Sequence, residues 1–237
     1  MILVRSLTFT AAYYFYSTLV ALLMIPLFLA PRAWVTHVLR WYGAGTTVLL
    51  RLICNIRVEV RGRENLPKGA ALIAAKHQCM FDVFGGFALL PDGCFVTKQE
   101  LLWLPFLGWY ARKAGMIVVD REGHANALRK LVADTRDRFK AARQLVIFAE
   151  GTRKAPGATP DYKPGIAALY RDLEMPVIPM ALNTGVHWPA HGVLRYPGTI
   201  VFEFLPAIPP GLKRGEFMRE METRIEAATN ALIADGL

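Results

Sequence analysis

From Leu7 to Ala30 the chain runs for 24 residues without a charged side chain, with Arg5 before the run and Arg32 after it. About 20 apolar residues cross a bilayer core as a helix, so this run limits what the chain can fold into more than any other feature. Tyr13, Tyr14 and Tyr16 are amphipathic rings of the kind that sit among lipid headgroups. Pro26 predicts a kink or break towards the end of the helix. A cleaved signal sequence is the competing reading. The run is long for a signal core, and Pro31 directly follows the one plausible small-residue cleavage site. The expectation is therefore a retained anchor.

A second stretch, residues 33–56, is apolar but carries His37, Arg40 and Arg51. Charges at mid-bilayer depth are costly, so this stretch reads as a helix lying in the interface with its arginines reaching lipid phosphates. A helix pair packed on the rest of the protein is the alternative. Six arginines and one acid, Glu59, lie between Arg32 and Arg63. That basic collar favours an anionic leaflet and the cytosolic side of the membrane for the remainder of the chain. The division expected is residues 1–56 as hydrophobic anchoring helices and residues 57–237 as a soluble domain.

The whole chain of 237 residues has a formal charge of +9 with 54% hydrophobic residues. The positive balance calls for anionic partners, and the high apolar share points to lipid rather than nucleic acid. Cys54, Cys79 and Cys94 are too few and too scattered for a disulfide framework, and no CxxC pair suggests zinc.

After Arg57, strand-like and helix-like signals alternate. Ile56, Val58 and Val60 alternate with polar residues. Strands are also expected at residues 70–75, 94–97, 116–119, 145–149, 177–182 and 199–204. Helices are expected at residues 80–90, 123–142 and 165–173, and around Phe217, Met221, Ile225 and Leu232. This alternation predicts an α/β fold, a mostly parallel sheet flanked by helices. Functional groups in such sheets gather at the carboxyl ends of strands.

Four strand ends carry candidate chemistry. Lys76-His77-Gln78-Cys79-Met80-Phe81-Asp82 follows an apolar strand. His77 and Asp82 are five apart and meet only if His77 sits in the loop and Asp82 in the first helical turn. Such a pair serves as base and orienter. A capping histidine and a carboxylate answering the helix dipole are the structural alternative. In Phe148-Ala149-Glu150-Gly151-Thr152-Arg153 a strand enters a glycine loop, and the Arg153 fork suits phosphate oxygens. A surface turn with a Glu150–Arg153 ion pair would read the same way. Lys98 and Arg121 end two further strands. Cys79 admits a thiol-nucleophile reading with His77 as its base, although a base two residues away in a short loop reaches a thiol poorly.

In order, His-Gln-x-x-x-Asp (His77 to Asp82), Gly-x5-Arg (Gly115 to Arg121), Phe-x-Glu-Gly-Thr-Arg (Phe148 to Arg153) and Pro176-Val-Ile-Pro179 resemble the glycerolipid acyltransferase family. Within it they are most similar to the bacterial lysophosphatidic acid acyltransferases. Asn183-Thr-Gly-Val-His-Trp-Pro and the two hydrophobic N-terminal segments also look like that branch.

The resemblance implies that His77 is the general base and Asp82 its partner. It also implies that Lys98, Arg121, Gly151, Thr152 and Arg153 lie around the acceptor's phosphate, with Glu150 ordering their loop. The implied donor is acyl-coenzyme A or acyl-carrier protein. The implied acceptor is a lyso-phospholipid in the bilayer, and no cofactor or metal is implied. Lys76, Cys79, Val118 and Ala149 stand where the family usually has Asn, Ser, Phe and Pro. The first two flank the base and leave the acceptor head group open. A related acyltransferase of another lyso-lipid, such as a lyso-ornithine lipid, and a non-catalytic lipid-binding protein are the alternative classes.

Overall fold

The structure is a computed structural model that describes residues 1–120 and 124–236, with only the backbone of His124 and Ala125. Its centre is a seven-stranded sheet of β1 (Ile56–Arg61), β2 (Ala71–Ala75), β3 (Gly93–Lys98), β4 (Ile117–Val119), β5 (Gln144–Phe148), β6 (Val177–Leu182) and β7 (Gly198–Phe204). The strand order is β1-β7-β6-β2-β5-β3-β4. All neighbours pair in parallel except β6 and β7, which are antiparallel. The expected mostly parallel sheet is present. The central strands β2, β5 and β6 are buried along their whole length. That explains their near-continuous apolar sequences, since a strand covered on both faces has no polar side to alternate with.

The covering helices are α3 (Phe81–Leu89), α4 (Leu107–Lys113), α5 (His124–Lys140), α6 (Gly165–Leu173), the single turn α7 (Thr184–His187) and α8 (Arg214–Asp235). α8 buries Phe217, Met221, Ile225 and Leu232, the stripe read from sequence. α4 was not anticipated. Its neighbourhood, Leu101 to Tyr110, is apolar throughout, so no periodicity marks a helix there.

Two N-terminal helices, α1 (Ile2–Leu23) and α2 (Arg32–Leu49), complete the fold. α1 is long and apolar enough to cross a membrane, and only 17% of its most apolar window is buried. At 1.5 Å per residue it is about 33 Å long. It ends before Pro26, which opens a short 3₁₀ turn over Ile25–Phe28. α2 buries Val35, Thr36, Tyr42, Gly43 and Thr46 and leaves Trp34, Trp41 and Val48 exposed. Phe9 and Tyr13 of α1 meet Trp188 edge-on at 5.2 and 5.6 Å. These helices therefore share one hydrophobic core with the sheet. Close approach needs glycine at two places. A Cβ on Gly43 would stand 2.3 Å from the Phe84 carbonyl oxygen of α3, and one on Gly45 would stand 2.2 Å from the Tyr16 hydroxyl of α1.

Charge pins α2 to the amino edge of the sheet. Arg32 makes a bidentate pair with Asp92 at 2.8 Å for both bonds, and Arg143 Nε donates to the same carboxylate at 3.1 Å. Burial works to raise the Asp92 pKa, but the hydrogen bond from Arg32 and the charge of Arg143 outweigh it and the net shift is downward.

Candidate active site

The carboxyl ends of five parallel strands open on one edge of the sheet. β2 delivers Lys76 and His77, β3 ends at Lys98, β5 runs into Glu150, and β6 into Thr184. β4 ends at Val119, whose register partner is Lys98. β3 pairs with β5 only over Gly93–Phe95, so Lys98 extends beside the β4 end. Arg121 lies outside the described residues.

His77 sits in the loop after β2, and Asp82 in the first turn of α3. The two meet as the spacing requires, with His77 Nδ1 2.7 Å from Asp82 Oδ2. Asp82 is fully buried and surrounded by donors. Its Oδ2 also accepts the backbone N–H groups of Gln78 at 2.6 Å and Cys79 at 2.9 Å. Its Oδ1 accepts the Thr184 hydroxyl at 2.5 Å and the Cys79 thiol at 3.5 Å. A carboxylate facing only donors is held in one orientation. Its Oδ2 can therefore only accept from Nδ1–H, which leaves Nε2 as the ring nitrogen with the free lone pair. The imidazole also stacks on Phe148, with centroids 4.0 Å apart and planes 18° apart.

Cys79 is fully buried, and burial pushes its thiol well above the usual range, with the Asp82 charge adding to the shift. Both effects work against a thiolate nucleophile at this place. The Cys79 sulfur donates to Asp82 rather than to the imidazole.

The second loop follows β5. Gly151 has a φ of +64°, a conformation that favours glycine, and its N–H bonds the Phe148 carbonyl at 2.9 Å. Thr152 and Arg153 point into solvent. Arg153 has no hydrogen bond or ion pair among the described residues. Glu150 is not its partner: it turns inward, fully buried, and binds Lys76 Nζ at 3.1 Å. Lys76 in turn binds Glu226 of α8 at 2.6 Å, and the Tyr162 hydroxyl donates to the same Glu226 oxygen at 2.8 Å. Burial raises the Glu150 pKa, and Lys76 pulls it back only in part. The two loops are also tied directly, because the Lys154 N–H donates to the His77 carbonyl at 2.8 Å.

Lys76, Thr184, Tyr162 and Glu226 had no role assigned from sequence. A lysine directly after five buried apolar residues was a signal for the first of them, because a charge at that place needs a buried partner.

Comparison with known proteins agrees with this geometry. A profile of the acyltransferase family matches residues 57–183, more than half of the chain. A Pseudomonas aeruginosa protein named 1-acyl-sn-glycerol-3-phosphate acyltransferase is 34% identical over 187 residues, covering 79% of this chain and 73% of that protein. A Saccharomyces cerevisiae protein of the same name is 30% identical over 198 residues, covering 80% of this chain and 65% of that one. The fold is shared with the crystal structure of the 1-acyl-sn-glycerophosphate acyltransferase PlsC from Thermotoga maritima. The TM-score is 0.79 at 22% identity, over 98% of both chains. With its strand-end motifs on one edge of a matching fold, and a profile and relatives of this kind, the chain belongs to the acyltransferase family.

Proposed function

We propose that the protein transfers a fatty acyl group from acyl-coenzyme A or acyl-carrier protein to the 2-hydroxyl of 1-acylglycerol 3-phosphate, yielding phosphatidic acid. The observation that carries this reading is the 2.7 Å bond between His77 and buried Asp82, set beside a loop that presents an exposed Arg153 with no hydrogen bond or ion pair among the described residues. In this mechanism His77 Nε2 removes the hydroxyl proton as the oxygen attacks the thioester carbonyl. A C–O bond forms, the C–S bond breaks, and the proton passes from the imidazolium to the departing thiolate. Asp82 orients the ring and stabilises its charged form. The Arg153 fork, Thr152, Lys98 and Arg121 receive the acceptor's phosphate, with Gly151 shaping the turn that presents the first two. Glu150, held by Lys76, sets the position of that loop.

α1 anchors the protein in the inner (cytoplasmic) membrane with the site facing the cytosol, which fits the basic collar between Arg32 and Arg63. Turnover of the purified chain with labelled acyl donor is the test. The acceptors compared are 1-acylglycerol 3-phosphate, other lyso-phospholipids and lyso-ornithine lipid. Preference for the phosphate monoester is expected. Preference for lyso-ornithine lipid would reassign the acceptor, and no turnover with any acceptor would leave a lipid-binding protein.

A further inference from the structure

Between β3 and β4, residues 101–111 form an uncharged run of eleven, rich in leucine and tryptophan. A short 3₁₀ turn over Gln99–Trp103 leads into α4. The segment is folded with much of its apolar surface outward. Trp103 is 78% exposed, and Leu101, Leu104, Leu107 and Trp109 are exposed as well. The buried side is small, chiefly Gly108 and Tyr110. Water alone gives no reason for this arrangement, because an apolar patch of this kind on a protein surface marks a contact.

The buried side shows where the patch lies. The Tyr110 hydroxyl donates to the Ala21 carbonyl of α1 at 2.6 Å, and its ring stacks on Phe28 at 5.0 Å. Lys113 Nζ donates to the Phe28 carbonyl at 2.8 Å. The segment is therefore fixed to the end of α1, where Leu22, Leu23, Ile25 and Leu29 are themselves exposed. Two exposed apolar stretches about 80 residues apart in sequence are thus held close together. The inner stretch is bounded by Glu100 and Lys98 on one side and by Arg112 and Lys113 on the other, so its margins carry a net positive charge. Tryptophan and leucine with basic residues at the margins match an anionic leaflet, the rings at headgroup depth and the cations at the phosphates. The strand that feeds the segment ends on the same sheet edge as His77.

We propose that residues 101–109 form a second membrane contact, dipping into the same anionic leaflet as the end of α1. This rests on the reading of α1 as a membrane anchor.

The test reconstitutes the full chain in phosphatidylcholine vesicles containing phosphatidylglycerol and measures tryptophan quenching by brominated acyl chains. The wild type is compared with a Trp103→Phe/Trp109→Phe variant, whose difference spectrum isolates those two rings. Their emission should be quenched and blue-shifted on vesicles. Quenching confined to what remains in the variant, which includes Trp34 and Trp41, would overturn the proposal while leaving the anchor in place. No quenching of any tryptophan would instead defeat the anchor reading. A blue shift that appears without lipid and grows with protein concentration would make the occupant a second copy of the chain, and would also overturn the proposal.

A Trp103→Glu/Leu107→Glu variant gives a second readout. Its turnover of vesicle-borne lyso-lipid should fall by about tenfold or more, given what each apolar side chain contributes to partition. Turnover of a short-chain, water-soluble lyso-lipid should hold. Equal loss on both acceptors, in a variant that melts like the wild type, would mean that the segment serves the site rather than the membrane.

Discussion

The two loops of the site are built in opposite ways. The loop from Lys76 to Asp82 is saturated: every acceptor position on Asp82 faces a donor, and the imidazole is fixed by a carboxylate on one side and a phenyl ring beneath. The loop from Glu150 to Arg153 is held from below by one buried ion pair, and its outer half, Thr152 and Arg153, is bare. A base must be aligned before the reaction starts, because a reorganising base loses the advantage of pre-organised geometry. A cation that reads a substrate's phosphate gains by staying unpaired until the phosphate arrives, since any protein carboxylate at its fork would compete. The contrast therefore predicts rate effects from the first loop and acceptor-affinity effects from the outer half of the second.

Removing the base is expected to have the largest effect. His77→Ala should lower kcat by about 10²–10⁴ with little change in melting temperature. The ring is only partly enclosed, and the Asp82 network keeps its other donors. Single-turnover rates with saturating acceptor are the measurement. A folded variant retaining more than about a tenth of the wild-type rate would place the base elsewhere.

The second effect concerns the anchor beneath the bare loop. Lys76→Met leaves Glu150 and Glu226 without their shared cation. Removing one partner of a buried pair costs about 3–5 kcal/mol, so the midpoint of chemical denaturation should fall clearly. The pH dependence has a definite sign. Burial already raises the Glu150 pKa, and loss of the lysine raises it further. A carboxyl with a folded pKa above its unfolded one contributes stability below the unfolded value, and that contribution is lost as pH rises through the folded value. The deficit of Lys76→Met should therefore be largest near neutrality and shrink as the solution is acidified towards the unfolded carboxyl value of about 4.3. Adding Glu226→Gln should restore part of it. A deficit that ignores pH would mean that Lys76 acts by packing alone.

The third tests the bare half directly. Arg153→Lys keeps the charge and loses the fork. A charge-assisted hydrogen bond is worth about 1.5–3 kcal/mol, so kcat/KM for 1-acylglycerol 3-phosphate should fall about ten- to a hundredfold, chiefly through KM, with the donor KM unchanged. Because Arg153 is exposed and bonds nothing among the described residues, the melting temperature of the variant should not move. Equal damage on a lyso-lipid lacking the phosphate would exclude phosphate reading.

These contrasts also mark what the sequence could and could not disclose. β6 and α6 lie where their residues predicted, at Val177–Leu182 and Gly165–Leu173, because each is a local pattern. The His77–Asp82 pair was legible for the same reason: its geometry is settled within one loop and one helical turn. Lys76 finds its partners 74 and 150 residues away, and Thr184 reaches Asp82 across 102. No spacing rule spans such distances, since they depend on strand order, and strand order is a tertiary outcome. Glu150 and Arg153 are three apart in sequence, and adjacency there suggested an ion pair. The sharp turn at Gly151 separates them, sending one inward and the other outward.

The smallest effect is expected at Cys79, and its smallness is informative. The thiol lies two residues from His77 and in the same saturated loop, so it is the remaining rival for a covalent mechanism. Its environment argues against that role. It is fully buried, its pKa is pushed up by burial, and its sulfur donates to the Asp82 carboxylate rather than to the imidazole. Cys79→Ser keeps a small donor at that place, and a serine hydroxyl can make the same bond to Asp82 Oδ1. The rate should stay within about twofold of wild type, a shift of roughly 0.4 kcal/mol in barrier. Thiol-directed alkylation of the folded wild type should be slow for the same reason of access. A Cys79→Ser rate as low as that of His77→Ala, with the fold intact, would restore the thiol as nucleophile and turn His77 from the base for a lipid hydroxyl into the base for a cysteine.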